Sequence, residues 1–545
     1  MQITIPNSSK PQLKIEMAKD KMEDKNDDYK LREDLNKLIQ RRTYLSDVNR
    51  SGAIEKRKAK GLRTARENIE DLCDGDSFIE FGSLTLAAQR GRKSEKQLME
   101  ETPADGLIAG IGSVNGKWFE EEQQKCIILS YDYTVLAGTQ GYFNHKKTDR
   151  MIGLAKQSLR PIIFFTEGGG GRPGDVDAES ITSGGLDINT FVEYARLSGK
   201  VPRIAIVSGY CFAGNASIAG CSDIIISTDK ASLGMGGPAM IEGGGLGSFH
   251  PKEIGPAKEQ YANGVIDILV EDEAEAVQVA QKYLSYFQGD LKEWTCDRQE
   301  LLRDAVPGNR KFAYDIFKVI NALADHDSVL ELRGGFAKNI VTAMIRINGK
   351  PMGLMGNSTR HLGGAIDSHA SDKAARFMQL CDAFGLPILS LCDAPGFMVG
   401  PDSEKTAMVR HSSRMFIVAA SLKVPILTVV LRKAYGLGAM AMAGGSLHAS
   451  FFTVAWPTGE FGGMGLEGAV KLGYRRELEA EKDPQSKQAL YEELVKKSYD
   501  KGKAISSATF LEFDEVIDPK DTRQWILAAL QSLPKVKSER MVDGW

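Results

Sequence analysis

The chain repeats itself at about half its length, and this constrains its fold more than any other feature. Residues 69–77 (IEDLCDGDS) resemble residues 320–328 (INALADHDS). Residues 106–110 (GLIAG), running on to 114–117 (VNGK), resemble 339–343 (NIVTA), running on to 347–350 (INGK). Residues 161–167 (PIIFFTE) resemble 387–393 (PILSLCD), and a Gly-rich turn follows each. Val201-Pro202 opens a block ending in 212–216 (FAGNA), and Val424-Pro425 opens one ending in 436–440 (GLGAM). Four matched segments in one order predict a duplicated domain, each copy of about 230 residues. The alternative is two unrelated domains that share a strand–turn grammar.

Within each copy, short Val- and Ile-rich runs alternate with helical patterns. Residues 204–207 and 224–226 are β-branched, short and bounded by Gly or Pro, as buried strands are. Residues 190–199 predict a helix ended by Gly199. That alternation predicts an α/β fold. Leu31, Leu35, Leu38 and Ile39, then Leu62, Ala65, Ile69 and Leu72, recur at helical spacing and predict packing helices. A further helix is expected over 489–504. The expected division is a polar, partly helical extension over 1–50, a first domain over 51–287, a linker over 288–310 and a second domain over 311–545. The polar character of 288–310, with Gly289 and Pro307-Gly308, suggests the linker.

Several functional classes are disfavoured. The 69 basic and 72 acidic residues are interspersed, giving net charge −3 and no nucleic-acid footprint. Residues 1–30 are polar, mixed in charge and lack an apolar h-region, so a cytoplasmic location is expected. The longest apolar runs, such as 424–431, are too short to span a membrane. The seven cysteines show no CxxC spacing, which suits reduced thiols. Cys211 is a weak nucleophile candidate against the commoner packing role. The seven histidines form no HxxxH or HExxH pattern, so no metal site is expected. No GxSxG elbow is present.

What remains is backbone chemistry. Gly-rich turns follow an apolar strand in each copy, at 168–174 (GGGGRPG) and 394–400 (APGFMVG), without Walker or GxGxxG spacing. A second pair of turns is more specific. A strand leads into GYCFAGNA and a small-residue helix in the first copy, and into AYGLGAMA and a small-residue helix in the second. Such a turn leaves N–H groups unpaired, and two of them can stabilise a developing oxyanion. Close helix packing through Ala and Gly is the structural alternative.

The blocks 131–141 (YDYTVLAGTQG), 373–377 (KAARF), 381–384 (CDAF), 393–397 (DAPGF) and 432–436 (RKAYG) resemble the carboxyltransferase β subunits of biotin-dependent acyl-CoA carboxylases, of the propionyl-, methylcrotonyl- and acetyl-CoA carboxylase type. The resemblance runs from about Lys56 to the end, with Asp521-Thr522-Arg523 in its expected place. It implies two tandem crotonase-like domains, each a spiral of ββα units. It implies carboxyl transfer from carboxybiotin to the α (or vinylogous γ) carbon of an acyl-CoA, through a thioester enolate. A first oxyanion hole would fall at Ala213 and Gly214, and a second, for the biotin ureido oxygen, at Leu437 and Gly438. Gly138, Gly168, Gly169 and Gly170 would bind acyl-CoA. Ala394, Pro395, Gly396, Phe397, Tyr435 and Met440 would bind biotin.

The resemblance also implies a homo-oligomer, usually a hexamer, with each active site shared between the first domain of one subunit and the second of another. No Met-Lys-Met biotinylation motif or ATP loop is present, so a biotin carboxylase and a biotin carboxyl carrier are the implied partners. The sequence departs from the common pattern at Glu167, where many relatives have Asp, and at Asn215, where glycine is frequent. Both put the acyl group in doubt more than the reaction; apolar Met440 favours an apolar chain. Three rivals stand beside this reading: a biotin-dependent decarboxylase subunit, a crotonase-type hydratase or isomerase using Glu242 or Glu467, and a non-catalytic scaffold.

Overall fold

The computed structural model describes residues 32–179, 183–534, 536, 538 and 540–545. Leu31 and most of the polar extension lie outside the described residues.

Each half of the chain builds one sheet on the same plan. In the first, β1 (Ile79–Glu80), β2 (Leu107–Ser113), β3 (Lys125–Tyr131), β4 (Ile162–Phe165), β5 (Arg203–Val207), β7 (Ile224–Thr228) and β9 (Ile268–Val270) lie side by side in that order. β6 (Tyr210–Phe212) pairs with β8 (Ser232–Gly234) beyond the end of β5. In the second, the order is β10 (Leu330–Leu332), β11 (Ile340–Ile347), β12 (Lys350–Asn357), β13 (Ile388–Ala394), β14 (Ile426–Tyr435), β15 (Phe452–Ala455) and β17 (Glu515–Val516). β16 (Glu460–Gly462) pairs with the last residues of β14, as β8 does with β6. The first three strands of each sheet are antiparallel and the rest parallel. The registers correspond: Ile162 faces Arg203 in one sheet and Ile388 faces Ile426 in the other. The parallel strands are buried on both faces, which is why they are continuous apolar runs without alternation.

The helices that matter below are α1 (Glu33–Thr43), α2 (Ser51–Lys58), α3 (Ala65–Leu72), α4 (Tyr142–Ser158), α5 (Thr190–Ala195), α6 (Gly214–Gly220), α7 (Glu273–Gln288), α8 (Ser368–Ala383), α9 (Gly436–Met442) and α10 (Pro484–Gly502). Thr64 and Glu67 form a reciprocal capping box that starts α3. The helix expected over 190–199 stops at Ala195, and turns carry the chain to Gly199. The helix expected over 489–504 starts earlier, at Pro484, where the Asp483 carboxylate accepts the Ser486 N–H, and it breaks at Lys503. Residues 288–310 are not a solvated tether. Leu302, Ala305 and Val306 are buried in the second core, and the Leu291 N–H donates to Gly349 O.

The halves are packed together by one continuous apolar cluster that includes Tyr283 and Leu284 of α7 and Phe377 and Met378 of α8. Phe287 contacts Tyr283 and Phe384 edge-on, each at 4.9 Å between centroids. Arg376 donates to Asp223 O across the halves at 2.8 Å, and Arg333 pairs with Asp267 at 3.1 Å. The last residues strap both halves: Ser198 Oγ donates to Val542 O at 2.8 Å, and Arg376 Nε to Asp543 O at 3.1 Å.

The duplication extends to buried lysines at matching positions of α4 and α8. Lys147 donates to Ala104 O and Leu107 O; Lys373 donates to Arg333 O, Phe336 O and Ile340 O at 2.8–2.9 Å. These carbonyls lie in, or at the strand that follows, turns carrying left-handed residues (Ala104, Asp105 and Arg333), and the lysines add a second donor to Ala104 O and Arg333 O, which also accept the Leu107 and Phe336 N–H groups. Burial pulls both ammonium groups below the usual lysine range, Lys147 to about 8 and Lys373 to about 7. Lys373→Met keeps the bulk and removes the ammonium donors; Arg333 O retains the Phe336 N–H, so up to two carbonyls are stranded, at about 1–3 kcal/mol each. Urea unfolding of this variant is expected to show a loss of at least about 2 kcal/mol; a loss below about 1 kcal/mol would mean the carbonyls find other donors.

Candidate active site at the ends of the parallel strands

Three loops meet beyond the central strands of each sheet. In the first copy they are 136–141, 167–172 and the turn 212–215 that starts α6. In the second they are 362–367, 393–398 and the turn 435–438 that starts α9. Their backbones share the hydrogen bonds that join the first loop to the second. The Gln140 N–H donates to Gly170 O at 2.7 Å, and Gln140 O accepts the Arg172 N–H at 2.9 Å. The Ile366 N–H donates to Gly396 O at 3.1 Å, and Ile366 O accepts the Met398 N–H at 2.8 Å. Gly138 (φ 62°) and Gly364 (φ 87°) press against the strand ends so closely that a Cβ would lie 2.6 Å from Glu167 O and 2.5 Å from Asp393 O.

This register places Ala213 (φ 50°) opposite Gly436 (φ 56°), each the left-handed step into its helix. For an alanine that step costs of order 1–3 kcal/mol, and such strain gathers at functional sites. The Ala213 N–H, expected as a hole donor, is already given to Gly234 O at 3.1 Å. The pair in register with Leu437 and Gly438 is Gly214 and Asn215. Among the described residues none of these four amides meets an acceptor. Of the pair expected in the first copy, Gly214 thus has a free amide and Ala213 does not, and the ladder of β4 and β5 matched to that of β13 and β14 puts Asn215 opposite Gly438.

The other expected site residues play mixed parts. Gly168, Gly169 and Gly170 donate their N–H groups to Tyr210 O (2.7 Å), Ala137 O (3.1 Å) and Asn215 Oδ1 (2.9 Å), so they shape the turn from within. Gly138 O accepts from Asn215 Nδ2 at 3.2 Å. Ala394 is buried at the end of β13, and Gly396 lies directly beneath Gly438. Pro395 stands between these two, and Phe397 leans on Phe416 at 6.3 Å. Tyr435 donates its hydroxyl to Glu460 at 2.9 Å, and burial, then Glu460, push its phenol up. Leu437 and Met440 are exposed beside the second turn.

Each central strand ends in a carboxylate held by a buried arginine. Glu167 pairs with Arg57 of α2 at 2.7 Å, and Asp393 pairs with Arg432 of β14 at 3.1 Å. Burial opposes the Arg57 charge, yet Glu167 and Glu273 hold its pKa above the ordinary value. Burial lifts the Asp393 carboxyl above the usual range against the pull of Arg432. Arg172, at the end of the first Gly turn, pairs with buried Asp105.

Two cavities flank the first-copy loops. One, of about 730 Å³, is strongly basic, with Lys56, Arg57, Lys60, Lys230 and Lys252 in its wall. No spacing in the sequence singles out these lysines, which come from distant segments. The other, of about 570 Å³, is lined by Gln140, Tyr142, His145, Phe191 and Gly214 among others. Burial, with Arg172 nearby, holds His145 at about 4, so its imidazole is neutral at pH 7. Cys211 is fully buried and its thiol is pushed up to about 12, which removes it as a nucleophile. Glu242 is exposed and Glu467 is paired with Arg310 at 3.4 Å; neither is set as a buried base. Among the described residues, no cluster of His, Cys, Asp or Glu could hold a metal ion, and no helix is long and apolar enough to cross a membrane.

A family model described as the carboxyl transferase domain matches residues 56–542. The chain is 33% identical over 503 residues to the methylmalonyl-CoA carboxyltransferase 12S subunit of Propionibacterium freudenreichii subsp. shermanii, covering 91% of this chain and 93% of that one. It is 31% identical to the biotin-dependent acetyl-/propionyl-coenzyme A carboxylase beta5 subunit of Mycobacterium tuberculosis, over 89% of each. Among solved structures it resembles a single-chain, multi-domain long-chain acyl-CoA carboxylase, with a TM-score of 0.87 and 53% identity. That match covers 91% of this chain and 49% of the other, so this chain spans about half of that protein. It also resembles the transcarboxylase 12S hexamer core, with a TM-score of 0.80 and 31% identity over 92% of this chain and 97% of that one. A duplicated crotonase-like fold, paired backbone turns and these likenesses together place the chain in the carboxyl transferase domain family, as an acyl-CoA carboxyltransferase of the biotin-dependent carboxylase type.

Proposed function

We propose that the first-copy turn binds the acyl-CoA thioester and the second-copy turn binds biotin carried on a partner protein. The observation that supports this most is the matched pair of unclaimed amides, Gly214 and Asn215 in one copy and Leu437 and Gly438 in the other. Gly214 and Asn215 donate to the thioester oxygen as it gains negative charge during loss of the α-proton. Each such preorganised donor is worth about 3–4 kcal/mol of barrier. Leu437 and Gly438 donate to the ureido oxygen of biotin, and the exposed apolar faces of Leu437 and Met440 suit its ring. Biotin, when bound, supplies the activated carboxyl group that the α-carbon receives. Neutral His145 and buried Cys211 take no part in covalent chemistry, so the backbone and the bound biotin carry the reaction.

The basic cavity fits the phosphates of CoA, with lysines from α2 and from the loops after β7 and β8 around one volume. Exposed Met235, Met240, Leu246 and Phe249 on the first half, and Val399, Leu437 and Met440 on the second, suit burial between subunits. Such contact would bring a first-copy turn and a second-copy turn from different chains into one chamber, as in a hexamer. A biotin carboxylase and a biotin carboxyl carrier would charge and deliver the biotin, in the cytoplasm. The likeness to a long-chain enzyme and apolar Met440 both favour an apolar acyl chain.

Transfer run backwards tests the reading: free biotin and a panel of 2-carboxyacyl-CoA thioesters of rising chain length are incubated with the protein, and carboxybiotin is measured. Carboxybiotin from at least one thioester is expected. None from any, even with a biotinylated carrier protein supplied, would overturn the assignment. The double variant Lys56→Glu/Lys252→Glu is expected to raise the KM for acyl-CoA at least about tenfold with kcat within about threefold, since it removes uniform binding. A short thioester lacking the nucleotide should not distinguish this variant from wild type; equal KM increases for both substrates would place CoA elsewhere.

A further inference from the structure

The two turns that face the paired amides are made from opposite materials. The first is four consecutive glycines, 168–171, and the second is Ala394-Pro395-Gly396-Phe397. Proline fixes its own φ, whereas each glycine must lose a wide range of conformations to be held in place. The residues in register at the starts of the two helices differ as well. In the second copy Gly438 lies against the turn itself, and a Cβ there would sit 2.7 Å from Gly396 C. In the first copy the residue in that register is Asn215, fully buried, with its side chain between two loops. Its Nδ2 donates to Gly138 O at 3.2 Å, and its Oδ1 accepts the Gly170 N–H at 2.9 Å. Both amide atoms are satisfied, and both partners lie in loops that border the site.

We infer that Asn215 is a positioning residue for carboxyl transfer: its carboxamide supplies the rigidity that the four-glycine turn lacks, and fixes the distance from that turn to the amides of Gly214 and Asn215. This rests on the assignment of the first-copy turn to the thioester. In the second copy the corresponding cross-link comes from another element: Asn357, fully buried at the end of β12, donates from Nδ2 to Gly364 O at 3.1 Å, and its Oδ1 accepts the Asp393 N–H at 3.2 Å. Both copies thus cross-link their loops through a buried carboxamide, and in the first copy that carboxamide belongs to the residue whose own amide is free.

The test compares Asn215→Gly, which copies the second-copy residue, with Asn215→Asp, which keeps the acceptor for Gly170 but loses the donor to Gly138. Initial rates of carboxyl transfer are measured on the full chain across acyl-CoA concentration, with the folded fraction of each variant fixed by circular dichroism and thermal unfolding. Asn215→Gly is expected to lower kcat by about 100-fold with KM within about threefold, the size of losing one oxyanion donor. Asn215→Asp is expected to lose at least as much, since it also brings a negative charge towards the developing oxyanion. It is nearly isosteric and carries the same test if the glycine variant does not fold. A kcat within about threefold of wild type per folded molecule would overturn the proposal. So would a loss of activity that only tracks the folded fraction. A wild-type protein with no transfer activity would overturn both this inference and the reading beneath it, whereas an active wild type with unaffected variants would overturn this inference alone.

Discussion

The ion pair at the end of each central strand organises what surrounds it. Glu167 and Asp393 are buried carboxylates; without Arg57 the first would be an unpaired charge in the interior, and without Arg432 the second would keep only Lys433, at 4.0 Å. Breaking such a pair from one side costs about 3–5 kcal/mol. The arginines also carry structure with them. Arg432 donates to Phe312 O at 2.9 Å, tying the start of the second half to its central strand. Arg57 lies on α2, so its pairing with Glu167 docks that helix over the first sheet and sets Lys56 and Lys60 at the rim of the basic cavity. One electrostatic contact thus fixes a strand end, a loop and a binding wall together.

Around these matched anchors the two copies have diverged in ways that suit different ligands. The first presents basic side chains, a glycine turn and an asparagine at the start of its helix. The second presents exposed Leu437 and Met440, a proline turn and a bare glycine contact. The backbone skeleton is held in common: the same left-handed step, the same loop-to-turn hydrogen bonds and the same buried lysine on the following helix. Backbone geometry carries the shared part, an acceptor site for negative oxygen, and side chains carry the difference between partners.

The halves cannot be treated as separate bodies. Their apolar cores merge through α7 and α8, polar contacts join Arg376 to Asp223 and Arg333 to Asp267, and the C-terminal residues lie across both. Two buried arginines, Arg333 and Arg376, share Asp267 at this junction, and backbone carbonyls of Asp223, Asp543 and Gly544 accept from other N–H groups of the two. The relative position of the two halves is therefore set as firmly as each fold.

The sequence by itself determined the duplication, the α/β class, the central strands and the two helix-starting turns. These are encoded in local patterns: continuous β-branched runs make buried parallel strands, and small residues after a strand allow a tight turn. Only the tertiary structure decided the rest. It assigned the Ala213 N–H to Gly234 O and left the amides of Gly214 and Asn215 free, a distinction no local pattern carries because that hydrogen bond joins residues about twenty positions apart in the chain. It turned a polar segment, 288–310, into one anchored by Leu302, since a few buried side chains do not alter average composition. It gathered lysines from residues 56, 60, 230 and 252 around one cavity, a proximity that no local pattern encodes because it is created by the packing of α2 onto the sheet.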